Sequence, residues 1–192
     1  YLDGLPAGQP ESDASAPRAP GDSGRAIEPG EPVDVGGVRV AIGPTGALVL
    51  LDHLATGRSL ADGAHALAEV SYQSFDEGDY ERFYRQLVTR PEDEWWSRLD
   101  NTKPGIDAAG AVSGRWPAEL VSAELAGTWL TVRSRFHADL TDRLGAPRQV
   151  WTHWDLTDPD AIGVEVWWPS KPASRLPEAM WCSFVPMVAE PR

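Results

Sequence analysis

From Val33 onward the chain reads as short strands. Val38, Val40 and Ile42 alternate with Arg39 and Ala41, the period of two expected of a half-buried strand. Ala47-Leu48-Val49-Leu50-Leu51 is a continuous apolar run, and Gly43-Pro44-Thr45-Gly46 between the two supplies turn chemistry. The pair is therefore predicted to be a hairpin. Thr56-Gly57-Arg58 marks a second turn, and 66–75 a third strand.

The middle changes period. Tyr80, Phe83, Tyr84 and Leu87 fall at i, i+3, i+4 and i+7, one stripe of a helix. Asp76, Glu77 and Asp79 stand where carboxylates cap free amides and meet the positive end of the helix dipole. Glu81 and Arg85 add a favourable i,i+4 pair. A second short helix is expected to follow. Thr89 and Glu92 have capping-box spacing, Pro91 suits the first turn, and Trp95, Trp96 and Leu99 lie beyond it. The stretch from Asp100 to Gly105 is a loop by composition.

Strand periodicity then returns. Leu130, Val132 and Phe136 alternate with Thr131, Arg133, Arg135 and His137. Val150, Thr152 and Trp154 form one face of another strand, and Ile162, Val164, Val166 and Trp168 one face of a third. Leu140 to Leu144 makes room for a helical turn stopped by Gly145 and Pro147. Local propensity in 117–125 allows a helix, but the surrounding spacing favours a strand. Short strands separated by Gly and Pro turns predict a mainly β protein, an antiparallel β-sandwich with a helical insertion around 79–99.

Residues 1 to 32 differ. Pro6, Pro10, Pro17, Pro20, Pro29 and Pro32 are interleaved with glycines and acids, with few large apolar groups to offset the entropy of ordering. They are expected to form a linker, with the sandwich occupying 33–192. A linker before the first strand, and Tyr1 in place of Met, lead us to expect a fragment of a larger protein.

The net charge of −12 argues against a nucleic-acid backbone or an anionic membrane as partner. No apolar run approaches the roughly 20 residues of a membrane helix. Cys182 is the single cysteine, which excludes an internal disulfide; between Trp181 and Phe184 it is expected to be buried and inert. No phosphate-binding glycine loop, G-x-S-x-G elbow or H-E-x-x-H zinc motif is present. Neither catalytic residues nor a metal or cofactor site is assigned to this chain.

Weaker candidates remain. His137/Asp139 and His153/Asp155 each place two polar groups on one face if they lie on strands, but no third ligand is identifiable, and an exposed polar strand face explains them. His53 and His65 are isolated. Glu92-Asp93-Glu94 resembles an acid/base cluster, yet its place in a helical first turn accounts for it. All nine tryptophans fall between Trp95 and Trp181. Sugar rings stack on indole faces, so such clusters can bind glycans. In the adjacent pairs Trp95-Trp96 and Trp167-Trp168 both rings cannot face one core; Trp167 opposes the Val164/Val166 face. Its ring either packs on another layer or stacks on glycan.

Val70-Ser71-Tyr72-Gln73-Ser74-Phe75, Asp79-Tyr80-Glu81-Arg82-Phe83, Trp95-Trp96, Asn101-Thr102-Lys103-Pro104-Gly105, Gly145-Ala146-Pro147-Arg148, Glu165-Val166-Trp167-Trp168 and the tail from Lys171 to Phe184 occur in an order that resembles an uncharacterised bacterial and fungal family similar to α-mannosidase-type glycoside hydrolases. The resemblance spans 33 to about 188. It implies an upstream barrel-type catalytic domain that carries a zinc ion and a carboxylate nucleophile, followed by a helical segment and a β-supersandwich of which this chain holds an incomplete part. The implied partner is that catalytic domain of the same polypeptide, with carbohydrate as the ligand. The implied role is non-catalytic and structural, lining a substrate cleft, with an autonomous carbohydrate-binding module or a purely structural docking domain as alternatives. Trp95, Trp96, Asp100, Lys103 and Trp167 are the residues expected at that cleft or interface; a salt-bridged loop anchor is the plainer role for Asp100 and Lys103.

Overall fold

The computed structural model describes residues 24–90 and 95–188. In chain order the elements are β1 (Arg25–Ala26), β2 (Val33–Val35), β3 (Val38–Ile42), β4 (Leu48–His53), β5 (Arg58–Ala61), β6 (Leu67–Ser74), α1 (Glu77–Leu87), α2 (Trp95–Asn101), a 3-10 turn (Ile106–Ala109), β7 (Gly114–Pro117), β8 (Glu119–Ala126), β9 (Trp129–Arg135), α3 (Ala138–Leu144), β10 (Gln149–Asp155), β11 (Gly163–Trp167) and β12 (Glu178–Phe184). They form two antiparallel sheets that do not close into a barrel. One has five strands in the order β1-β8-β9-β10-β11; the other has seven, with the path β12-β6-β4-β3-β2 and with β5 and β7 added beside β4 and β6.

The predicted alternation builds the core. Val38, Val40, Ile42, Leu48 and Leu51 from the seven-stranded sheet meet Ala123, Leu130, Val132 and Trp154 from the five-stranded sheet in one buried cluster. A second cluster joins Val70 and Tyr72 to Phe136, Leu144, Ala146 and Val150. The hairpin is present as expected, closed by Gly43 N–H to Ala47 C=O at 2.8 Å. Gly46 in its turn has φ +84°, and a Cβ there would lie 2.3 Å from Ser134 Oγ of the opposite sheet. Glycine is required by the left-handed backbone and by the close approach of the two layers.

Helix α1 starts with a reciprocal capping box, Asp79 N–H to Asp76 at 3.0 Å and Asp76 N–H to Asp79 at 3.1 Å. Helix α3 ends on Gly145 in the left-handed region, as its sequence predicts. The ambiguous stretch 117–125 falls at the end of β7 and within β8, the strand reading.

Several expectations are corrected. The α1 stripe does not pack as a unit: Tyr84 is buried, whereas Phe83 is 52% and Leu87 58% exposed. The sandwich begins before Val33, because β1 pairs with β8 and Ile27 joins the core. His137 is the N-cap of α3, so His137/Asp139 is not a strand pair. Cys182 is exposed on β12 rather than buried, although partial desolvation of its sulfur pushes the thiol pKa up. Strands β5 and β12 were not predicted. The expected linker is outside the described residues through position 23, as are Pro91, Glu92, Asp93 and Glu94 of the second helix's predicted start.

Candidate functional site

Four of the five residues expected at a cleft or interface sit on or beside α2. Trp95 opens that helix, and its side chain lies outside the described residues. Trp96 is 61% exposed, and Asp100 and Lys103 are exposed with no ion pair to a described residue. The salt-bridged anchor lies elsewhere. Glu81 binds Arg85 at 3.1 Å and Arg98 at 2.6 Å, and Tyr84 Oη meets Ser97 Oγ at 3.0 Å, tying α1 to α2. The Arg85 hydrogen bond, helped by Arg98, holds the Glu81 carboxyl below the usual carboxylate range.

Trp167 belongs to a different surface, the outer face of the five-stranded sheet. Because Val150, Thr152 and Trp154 of β10 are buried between the sheets, Trp151, His153 and Asp155 point outward. Cross-strand register then assembles two rows. Arg133 on β9 pairs with Trp151, which pairs with Trp167 on β11; beside them Thr131 pairs with His153, which pairs with Glu165. The Trp151 and Trp167 rings stack with centroids 6.0 Å apart at 23°, and His153 lies 6.1 Å from the Trp167 ring. The Arg133 guanidinium sits 5.8 Å from the Trp151 centroid, within reach of a cation–π attraction.

Three buried polar atoms of this face, Arg133 Nε, Trp151 Nε1 and His153 Nε2, have no hydrogen-bond partner among the described residues. A buried polar atom left unpaired costs about 1–3 kcal/mol, so three on one patch of a sheet is an unusual concentration. His153 is only 6% exposed, and this burial holds its imidazole pKa below the ordinary value, opposed by the weaker attraction of Glu165. At neutral pH its ring is uncharged. The face thus offers two stacked indoles, one charged donor and one neutral imidazole, and its unpaired N–H groups on Arg133 and Trp151 can only donate.

Of this group the sequence reading singled out only Trp167 as a site residue. The sequence pattern marks neither Arg133, Trp151 nor Glu165 as a site residue, and it brings in His153 only with Asp155. The missed signal is alternation: once Val150, Thr152 and Trp154 are assigned inward, Trp151 and His153 must share the opposite, outer face of the sheet. Asp155 does share it, but its carboxylate is taken by the Thr157 amide at 3.0 Å. Among the described residues no three His, Cys, Asp or Glu side chains converge to hold a metal ion. His53 and His65 each meet one carboxylate, Asp160 at 3.3 Å and Asp62 at 2.8 Å.

Fold and face together define a two-layer antiparallel β-sandwich protein with an aromatic, cation-flanked sheet surface. The family model described as a domain of unknown function (DUF5054) matches residues 11–164, and the chain belongs to that family. The match covers Arg133, Trp151 and His153 and stops within β11, before Glu165 and Trp167. No curated protein and no solved structure matches the chain.

Proposed function

We propose that this chain is a non-catalytic β-sandwich domain of a carbohydrate-active protein, of the α-mannosidase-like kind its motifs resemble, and that it contacts glycan through the outer face of the five-stranded sheet. The observation that carries the reading is the set of unpaired polar atoms beside the stacked Trp151–Trp167 pair. A sugar supplies both halves of what that face lacks. Its C–H surface covers an indole, and its hydroxyl oxygens accept from buried N–H groups. In this reading the zinc and the nucleophile of the mannosidase resemblance belong to a catalytic domain outside this chain, and this face forms one wall of its cleft.

The test is calorimetric or fluorescence titration of the chain with mannan-derived and other oligosaccharides, alongside Trp167→Ala and Trp151→Ala. Saturable binding that either substitution weakens by about tenfold or more is expected, the loss of one stacking contact. Flat titrations across all glycans overturn the reading. Turnover of aryl α-mannosides by the purified chain with zinc would contradict the non-catalytic assignment.

A docking role is favoured by a separate observation on the helical pair. Phe83, Leu87, Trp96 and Leu99 are 52%, 58%, 61% and 69% exposed on two contacting helices. Large apolar side chains left exposed on neighbouring helices suit a surface that another folded unit covers. The helices therefore suit the junction to the catalytic domain, leaving the five-stranded sheet to face the sugar.

A further inference from the structure

We propose that the glycan taken by this face is acidic: a uronic acid residue whose carboxylate pairs with Arg133 while the sugar rings lie along Trp151 and Trp167. The inference rests on the glycan reading above and assigns it a substrate class.

Among the described arginines that lie over an aromatic ring, Arg133 is the one without a polar partner. Arg39 binds Asp34 at 2.6 Å, Arg98 binds Glu81 at 2.6 Å and Arg148 binds Asp142 at 3.2 Å. Arg115 is held by two serine hydroxyls, Ser71 at 2.7 Å and Ser183 at 2.9 Å. Arg133 has no carboxylate partner among the described residues, and its flanking partners in register, Ser122 and Trp151, are neutral. Of the acids on β8, Glu119 faces Arg135 at 3.9 Å, and Glu124 turns toward β1, where a Cβ on Gly24 would lie 3.4 Å from its Oε2. Glu165 stands two strands and one row away, about 10 Å across and about 7 Å along the sheet by ordinary strand spacing. A half-buried guanidinium ordered over an indole, with no anion of its own, is a prepared site for a carboxylate, which it grips with two parallel N–H···O bonds.

The remaining groups agree. Arg133 Nε and Trp151 Nε1 are donors only, so the ligand must bring acceptors, and a uronate brings carboxylate and hydroxyl oxygens together. The row Arg133–Trp151–Trp167 runs across three strands, roughly 10 Å, so a ligand bound at the arginine extends directly onto the stacked rings. The terminal nitrogens of Arg133 are not among the buried unpaired atoms and have no hydrogen-bond partner among the described residues, so the guanidinium meets solvent through them. The overall charge of −12 opposes an anion at long range. At physiological salt that field is screened over about 8 Å, so the local pair decides.

The experiment titrates the chain, at about 0.15 M salt, with trigalacturonate, its methyl ester, a sulfated neutral trisaccharide and mannotriose. Trigalacturonate is expected to bind about tenfold or more tightly than its ester, the worth of one charge-assisted bond. Arg133→Gln should erase that preference and Arg133→Lys should restore part of it, with unchanged melting temperatures showing that both variants fold. Equal affinity for acid and ester, a preference that survives Arg133→Gln, or sulfated sugar bound as tightly as the uronate overturns the proposal. Mannotriose binding that depends on Trp167 without any acid preference overturns this inference and leaves the glycan reading standing. Binding of none of the four overturns both.

Discussion

The two outer faces of the sandwich carry the same pair of groups in opposite states. On the seven-stranded sheet the Arg115 guanidinium lies 5.5 Å from the Trp181 ring; on the five-stranded sheet Arg133 lies 5.8 Å from Trp151. Around Arg115 the polar atoms close on one another. Its Nε donates to Ser71 and its Nη2 to Ser183, and Trp181 Nε1 donates to Gln73 at 2.8 Å. Around Arg133 the corresponding donors, Arg133 Nε and Trp151 Nε1, have no hydrogen-bond acceptor among the described residues. The difference teaches that an Arg–Trp pair on a sheet is not itself a site. Where the network is complete the pair stabilises the fold; where donors remain unpaired the face has capacity to bind. Near β12 the polar atoms inside the sandwich are also paired: the Tyr72 hydroxyl lies 2.7 Å from Leu144 C=O and 2.9 Å from Glu178, sharing its one proton between them, and Lys171 meets Glu178 at 2.5 Å. Burial, reinforced by Glu178, pushes the Tyr72 phenol pKa far up, so it remains a donor.

The largest effect should come from breaking the complete network. Arg115→Ala leaves the Ser71 hydroxyl, in a residue 1% exposed, without its partner. The expected loss is about 2–3 kcal/mol, seen as a fall of roughly 4–12 °C in melting temperature by calorimetry, with any glycan affinity unchanged. Trp167→Ala on the other face should cost only about 0.5–1.5 kcal/mol of stability, the worth of one aromatic pair, while glycan titration shows the larger change. If both substitutions lower stability and binding alike, the contrast between the faces fails.

A pH series sharpens the comparison next. Burial holds the folded-state pKa of His153 below its ordinary 6.5, so the unfolded chain takes up a proton that the folded chain refuses. Stability should be full above that value and decline as pH falls below it, flattening where the folded imidazole also protonates. Urea midpoints measured for the chain and for His153→Gln should converge toward acid pH, because the variant lacks this slope. Parallel curves would assign the acid sensitivity to carboxylates instead. The smallest effect is expected for Arg133→Met, which removes an unpaired buried donor and keeps an apolar stem on Trp151. Its unfolding free energy should stay within about 0.5 kcal/mol of the parent. A loss as large as that of Arg115→Ala would show that Arg133 has a structural partner after all.

Much of this fold is legible in the chain. Alternation in Val38-Arg39-Val40 and in Val150, Thr152 and Trp154 determines which side of each strand is buried, because successive side chains leave a strand on opposite faces. Asp76 with Asp79 determines where α1 begins, and Gly145 where α3 ends, since caps are satisfied within a few residues. The sandwich class follows from these local patterns. Tertiary structure alone decided that Trp151 stands between Arg133 and Trp167, because register between strands is set by turns and long-range packing and not by the period within either strand. It also decided that Phe83 and Leu87 stay exposed and that Cys182 lies open on an outer strand. Periodicity says which side of an element is apolar; whether another element comes to cover that side is a property of the whole chain in three dimensions.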